Sequence, residues 1–363
     1  TWPLLRPAVI SAASIVFLFT VTSFGVGLLL GGPRDTTREV EIYRQTAILL
    51  DLPSAAALTI LQMGGVFVLL LASARAQEGL AVQQRLRGAL ETARRPRPGR
   101  ERALVAGILG FTVLFMFVPL AVLVERALAG PDGFGLAAFG SLLEADPRTR
   151  LTAAPWASVL ASLRFALATT LIAGSLGLMA ALVVGYRRGW LARGLDALVM
   201  LPLGTSAVIV GFGFLVSLDT PPLDLRTSVL LIPIAHALIA LPFVLRSVVP
   251  VVRSIDDRLR EAAAVLGASP RRAWWEVDGP ILARAALVGA GFAFAVSLGE
   301  FGATLFIARP DTVTIPVAIF RLLGQPGAAN FTTAMALAVV LMVLTASAVL
   351  LIERLRGGGP QPF

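Results

Sequence analysis

An all-α, polytopic membrane protein with about eight transmembrane helices is the fold class this sequence predicts, and three observations carry it. Of 363 residues, 56% are hydrophobic and 15% charged, with mean hydropathy +0.82. The apolar residues gather in runs of about the 20 residues needed to cross hydrocarbon: 8–30, 55–75, 104–128, 158–185, 197–217, 228–250, 281–307 and 331–352. The basic residues, all arginine, concentrate in alternate segments along the chain.

The first run has no basic segment before it and no convincing small-residue cleavage site after it, so it reads as a span and not as a signal peptide. Residues 76–102 follow the second run. AQEGLAVQQRLRGALE has amphipathic helical character and ARRPRPGRER is a Pro/Arg-rich break. This segment carries Arg75, Arg85, Arg87, Arg94, Arg95, Arg97, Arg100 and Arg102 around it. Later clusters are Arg187, Arg188 and Arg193, then Arg253, Arg258, Arg260, Arg271 and Arg272, then Arg354 and Arg356, whereas Asp219 and Asp224 balance Arg226 between them. The alternation is the positive-inside pattern. It places 76–102 and 254–280 in the cytoplasm, 31–54, 129–157, 218–227 and 308–330 outside, and both ends of this chain inside. The net charge of +9 is therefore read as a membrane topology signal rather than a nucleic-acid surface. Gly and Pro within the spans (Pro202, Gly204, Gly211, Gly213, Pro233, Pro242) mark close helix approaches or breaks shielded by protein.

Residues 254–280 form a polar island between apolar runs. Ser254 with Asp257 reads as an N-cap with an acidic third position. Ile255, Leu259, Ala262 and Leu266 share one helical face. Gly267 stands where a left-handed glycine ends a helix, and Ser269-Pro270 starts another. An amphipathic helix lying on lipid is the plain reading, but a surface anchor has no use for the glycine turn. Glu261-Ala262-Ala263, Gly267 six residues after the Glu, and Pro280 thirteen after the Gly resemble the EAA signature of ABC-importer permeases. That pattern also expects Ile and Leu where this chain has Val277 and Gly279; the second is a real departure. The resemblance implies a type I transmembrane domain whose coupling helix, here carried by Glu261, Ala262, Ala263, Leu266, Gly267 and Pro280, docks on a cytoplasmic ABC ATPase, a dimer in such systems. It also implies an extracytoplasmic substrate-binding protein and a bacterial inner (plasma) membrane setting.

The chain repeats itself at an offset of 277 residues. Trp2-Pro3-Leu4-Leu5 meets Gly279-Pro280-Ile281-Leu282, Phe24-Gly25 meets Phe301-Gly302, Pro33 meets Pro310, Thr37 meets Thr314 and Arg44 meets Arg321. Residues 1–75 thus read as the last two helices of a first permease half, 76–102 as a cytoplasmic linker, and 103–356 as a second half with its core at about 155–352 and coupling loop at 254–280. Pro3 corresponds to Pro280, so the first half is expected to be N-terminally truncated, its own coupling loop lying upstream of Thr1. Tandem pseudo-twofold halves are a known transporter plan.

Ser297-Leu298-Gly299-Glu300-Phe301-Gly302-Ala303-Thr304 resembles the helix after the coupling loop in permeases for oxyanions, iron(III) and thiamine. The fusion of two halves favours the iron(III) or thiamine branch over sulfate and molybdate. Glu300 is the ionisable residue deepest in an apolar run, costly unless paired or wet. It reads either as a pathway residue, with Ser297 and the repeat partner Ser23, or as a carboxylate bonded to helix-end N–H groups or an Arg. His236, the single histidine, reads as a packed, hydrogen-bonded core residue, with a ligand role as the alternative. Without cysteine, thiolate catalysis, disulfides and Cys-bound metals are excluded. Without a Walker glycine loop, HExxH or GxSxG, no catalytic, metal or cofactor site is expected and ATP hydrolysis falls to another chain. Two other functions remain open from sequence. One is an ion-coupled secondary transporter using Glu300, for which the 254–280 loop has no purpose; the other is a membrane scaffold.

Overall fold

The computed structural model describes residues 9, 13, 16–17, 20, 22–32, 36–78, 96–130, 133–145, 151–187, 189–218 and 224–357. The linker 76–102 lies largely outside these residues and the first part of the expected span 8–30 in part, while the repeat positions Trp2–Leu5 and Pro33 lie outside them altogether.

The polypeptide runs as α1 (Gly25–Leu30), α2 (Arg38–Tyr43), α3 (Leu52–Glu78), α4 (Arg100–Leu128), a two-stranded ribbon of β1 (Ala129–Gly130) and β2 (Gly133–Phe134), and α5 (Ala137–Gly140). Next come α6 (Pro155–Tyr186), α7 (Trp190–Gly204), α8 (Ala207–Ser217) and α9 (Leu231–Ser254). The last elements are α10 (Asp257–Val265), α11 (Pro270–Ala273), α12 (Gly279–Gly299), α13 (Gly302–Ile307), α14 (Ile315–Leu323) and α15 (Ala328–Gly357). Among the described residues, six helical stretches are long and apolar enough to span a bilayer, with α7 plus α8 as a seventh if the pair counts as one.

Two of the expected spans are broken. The run 197–217 divides into α7 and α8, which meet at 100°. Pro202 and Gly204 weaken the end of α7, and Ser206 turns extended and accepts from the Ile209 N–H to begin a new helix. The run 281–307 stops at Gly299, because Glu300 is extended and Phe301 leaves the helical region before α13 begins. The two breaks pack against each other. A Cβ at Gly211 would lie 2.6 Å from the Ala303 Cα and 2.7 Å from its carbonyl oxygen, so only glycine lets α8 come this close to α13.

A core is formed by α6, α9 and α12, zipped by small and β-branched side chains: Ala173, Ala180 and Ala181 against Ala240, Val244 and Val248, with Ala285 and Ala293 opposite. With lipid outside as apolar as leucine, such helices associate through close van der Waals packing. α4 exposes its apolar residues from Leu104 to Val122, which in hydrocarbon needs no other cover.

At the offset of 277 the element starts of α1 and α2 coincide with those of α13 and α14, whereas the π-helical turn 44–48 has no counterpart, residues 321–323 continuing α14. Thr37 and Thr314 stand at corresponding N-caps. Phe24 packs on Tyr43 with ring centres 5.8 Å apart, as Phe301 packs on the corresponding Phe320 at 5.6 Å. The corresponding residues Phe24 and Phe301 stack on each other at 5.5 Å. Like positions meeting like positions is what an approximate twofold axis produces.

Candidate functional site: the coupling loop and the broken-helix network

The 257–278 loop is built from consecutive caps. Ser254, expected to start its first helix, is instead the last residue of α9, its hydroxyl donating to the Val251 carbonyl at 2.9 Å. The cap is Asp256, whose extended backbone turns its carboxylate onto the Arg258 N–H at 3.0 Å. At the other end Gly267 has φ +84°. The Gly267 N–H donates to the Ala264 carbonyl and the Ala268 N–H to Ala263, both at 2.9 Å, the paired bonds of a Schellman stop. Ser269 then caps α11 with Pro270 at its first position. Gly279 and Pro280 begin α12, and a Cβ at Gly279 would sit 3.4 Å from the Trp274 carbonyl oxygen.

Glu261, Ala262, Leu266 and Gly267 are exposed and Ala263 half-buried. Val265 and Leu266 are 87% and 88% exposed, beside Leu259 and Trp275. A short helix that offers its apolar side chains outward while its polar ones hold it from behind is shaped to be covered.

What holds it is a network that the sequence reading did not single out. Arg260 Nε donates to Asp278 Oδ2 at 2.9 Å and Oδ1 at 3.2 Å, and its Nη1 to Asp257. The Tyr186 hydroxyl donates to Asp278 Oδ2 at 3.1 Å, and the Arg260 guanidinium lies 5.2 Å from the centre of the Tyr186 ring. Hydrogen bonding to Asp278 holds Arg260 still more firmly protonated than an ordinary arginine. Asp278, 1% exposed, thus ties α10 to the root of α12 and the end of α6. The available signal was the acid nearest the apolar run that starts at Pro280.

One span away, Glu300 is 6% exposed and its oxygens are occupied. Oε1 accepts from the Ala303 N–H at 2.8 Å, and Oε2 from the Thr304 N–H at 3.0 Å and from the Thr304 hydroxyl. It caps α13 and satisfies donors that a buried helix start would leave orphaned. His236 stands at the centre: Nε2 is 3.2 Å from Glu300 Oε2 and hydrogen-bonded to Thr304 Oγ1 at 2.7 Å. Nδ1 is hydrogen-bonded to Ser297 Oγ at 2.7 Å. Ser297 donates to Thr169 Oγ1 at 3.2 Å, linking α6, α9, α12 and α13. The structure therefore brings Glu300 and Ser297 together around a histidine that sequence reasoning placed in the core. Ser23 lies elsewhere, half-buried next to Phe24, its carbonyl accepting from the Thr37 hydroxyl at 3.1 Å.

Comparison with known proteins gives one consistent answer. Residues 173–356 match the family described as binding-protein-dependent transport system inner membrane component. The chain is 30% identical over 263 residues to the 2-aminoethylphosphonate transport system permease protein PhnV of Salmonella typhimurium, covering 71% of this chain and 95% of that protein. It is 33% identical over 207 residues to the molybdenum transport system permease protein ModB of Mycobacterium tuberculosis, covering 53% and 76%. The thiamine transport system permease protein ThiP of Brucella suis aligns with 100% of this chain at 27% identity, and 64% of that protein is covered. Among solved structures, a chain of the bacterial alginate ABC transporter superposes with a TM-score of 0.56 at 18% identity, covering 71% of this chain and 95% of that one. With its helical membrane architecture and EAA loop, the chain belongs to the binding-protein-dependent transport system inner membrane component family, the permease subunits of ABC importers.

Proposed function

We propose that the 257–278 loop docks on a cytoplasmic ABC ATPase dimer and passes its motion to the α6–α9–α12 core. We further propose that an extracytoplasmic binding protein delivers cargo to the opposite face. The observation that carries the docking reading is α10, capped at both ends, pinned from behind by Asp278 and exposing Val265 and Leu266. In this reading residues 1–75 end one permease half, 76–102 link the halves in the cytoplasm, and 103–356 form the second. The full-length alignment with the thiamine permease and the Phe24–Phe301 contact support that division. Cargo is read as thiamine or iron(III). Similar permeases are named for a phosphonate, molybdate and thiamine, so the choice rests on the alignment that runs through both halves.

Gly267→Val tests docking. A β-branched residue at φ +84° strains the turn by about 1–2 kcal/mol, and the strain falls on the exposed loop rather than the core. The variant is expected to reach the membrane in normal amounts and to lose most co-purifying ATPase and most uptake. Unchanged association and uptake would overturn the reading. Topology has an independent check. The chain has no native cysteine, so Leu90→Cys is expected to resist an impermeant maleimide in intact cells and to react in inverted vesicles.

A further inference from the structure

Glu39 is buried on α2 with 1% exposure, and no ion pair to it is found among the described residues. Residues 52–69 of α3 and all of α8 contain no Asp, Glu, Lys or Arg, α7 carries Arg193 and Asp196, Arg321 of α14 acts on Tyr43 of α2, and Arg38, Glu41 and Arg44 sit on its own segment. Its Oε1 accepts from Gln62 Nε2 at 2.8 Å, and Ser206, at the break between α7 and α8, lies near enough to favour its charged form. Gln62 is itself 1% exposed, and its Oε1 has no hydrogen-bond partner. A buried carboxylate without a cation and a buried carbonyl without a donor are each unfavourable. Here they occur side by side.

The repeat sharpens the point. At the offset of 277, Glu39 corresponds to Pro316 and Gln62 to Val339. One half therefore carries a polar cluster where the other carries apolar residues, so the cluster is not demanded by the fold. It lies where α2 and α3 meet α7 and α8, beside the Phe24–Phe301 contact between the repeats. It is on the membrane side opposite the coupling loop, about 30 Å away by the length of α12.

We propose that Glu39, Gln62 and Ser206 form a binding site for a small monovalent cation, an alkali ion or a primary ammonium group. Turning the Gln62 amide by half a rotation about its last torsion brings Oε1 to the position Nε2 now holds, 2.8 Å from the carboxylate oxygen. Two acceptors at that separation repel unless a positive charge, a proton on Glu39 or a cation against both oxygens, lies between them. The Ser206 oxygen supplies a third ligand, and oxygen donors are what hard cations and ammonium groups take. Among the described residues no cluster of three His, Cys, Asp or Glu is present, so a single carboxylate sets the charge of the site, matching one positive charge. Burial pushes the Glu39 carboxyl from 4.5 up to about 7, with the Ser206 and Gln62 hydrogen bonds acting the other way. Protons therefore compete with the cation near neutrality, and the site is open to it at pH 8. Because the folded value is the raised one, the unfilled site favours folding most below about 4.5 and loses that contribution as pH rises through about 7.

The test uses the purified importer complex in nanodiscs at pH 8 and constant ionic strength. Choline chloride is exchanged for sodium, potassium or methylammonium chloride while thermal unfolding is followed. A saturable rise of about 3–6 °C is expected with at least one small cation, and it should be lost in Glu39→Gln and in Gln62→Met, which keeps the volume and removes Oε1. A sodium or potassium response identifies an alkali site, and a methylammonium response an ammonium site. A response that survives both substitutions overturns the proposal. A wild type blind to all three cations also overturns it, and a Glu39→Gln variant that is then more stable at pH 8 identifies the occupant as a proton. The inference gains its meaning for transport from the permease reading, but the tests separate. A failed cation response leaves ATPase docking through Gly267 intact, and failed docking leaves the cation response readable.

Discussion

Asp278→Ala is expected to leave the transmembrane core assembled and to disconnect the coupling helix from it. The carboxylate is 1% exposed and accepts from both Arg260 and Tyr186. Removing one partner of a buried charge pair is strongly destabilising because the other is left uncompensated. Here the Arg260 side chain, 29% exposed, can swing back to water and recover part of that loss, so about 2–3 kcal/mol is expected. The loss is local, since Arg260 sits on α10 while the α6–α9–α12 packing does not involve it. ATP hydrolysis by the bound ATPase should persist while uptake falls at least tenfold, because a docked helix no longer fixed to α12 and α6 transmits little displacement. Asp278→Asn keeps the shape, and its carbonyl oxygen can still accept one bond. It should therefore fall between wild type and alanine in both stability and uptake. Retention of full uptake by Asp278→Ala would remove the network from the coupling path.

This network also marks the limit of what the sequence disclosed. Gly267, Ser269 and Pro270 were legible because their roles are local. A left-handed position selects glycine, a cap selects a hydroxyl, and the first helical turn accepts proline. Asp278 was not, because its meaning depends on Arg260, eighteen residues back, and on Tyr186, ninety-two back. The same holds for the start of the coupling helix. Ser254 was the expected cap, but α9 runs through it and the cap falls two residues later, on Asp256, because the end of α9 is set by tertiary packing.

Hydropathy found the apolar runs but not their breaks. The runs 197–217 and 281–307 are continuous on any sliding window, yet each bends where polar side chains take over helix ends inside the protein, Ser206 for α8 and Glu300 for α13. Backbone polar groups in hydrocarbon must be satisfied. A helix can therefore break there only if side chains from the same break or from neighbouring helices supply partners, and a window average does not register a single serine or glutamate. The repeat, by contrast, was visible because Phe24-Gly25 and Phe301-Gly302 recur without a gap. Phe24 and Phe301 then prove to be the residues stacked between the repeats.

Glu300→Gln is expected to cost stability before it alters selectivity. The two carboxylate oxygens accept from the Ala303 and Thr304 N–H groups and the Thr304 hydroxyl, with His236 Nε2 at 3.2 Å from Oε2. An amide offers one oxygen in place of two and points an NH₂ at donors that already need acceptors. At least one N–H of the α13 start is then left unsatisfied. Hydrogen bonds to a charged group contribute about 1.5–3 kcal/mol each, and the site is buried, so a loss of about 3 kcal/mol is expected. Thermal unfolding of the purified importer should begin several degrees lower. His236→Asn, which leaves the backbone donors capped by Glu300, should cost less than Glu300→Gln. The order of these two variants separates the roles. A pathway carboxylate would show reduced uptake with the wild-type unfolding temperature in Glu300→Gln, whereas a capping carboxylate shows reduced stability with residual uptake proportional to folded protein. The carboxylate occupies a helix start 6% exposed with a bond to each backbone donor within reach, and that placement commits it to holding the α12–α13 break in shape against α8.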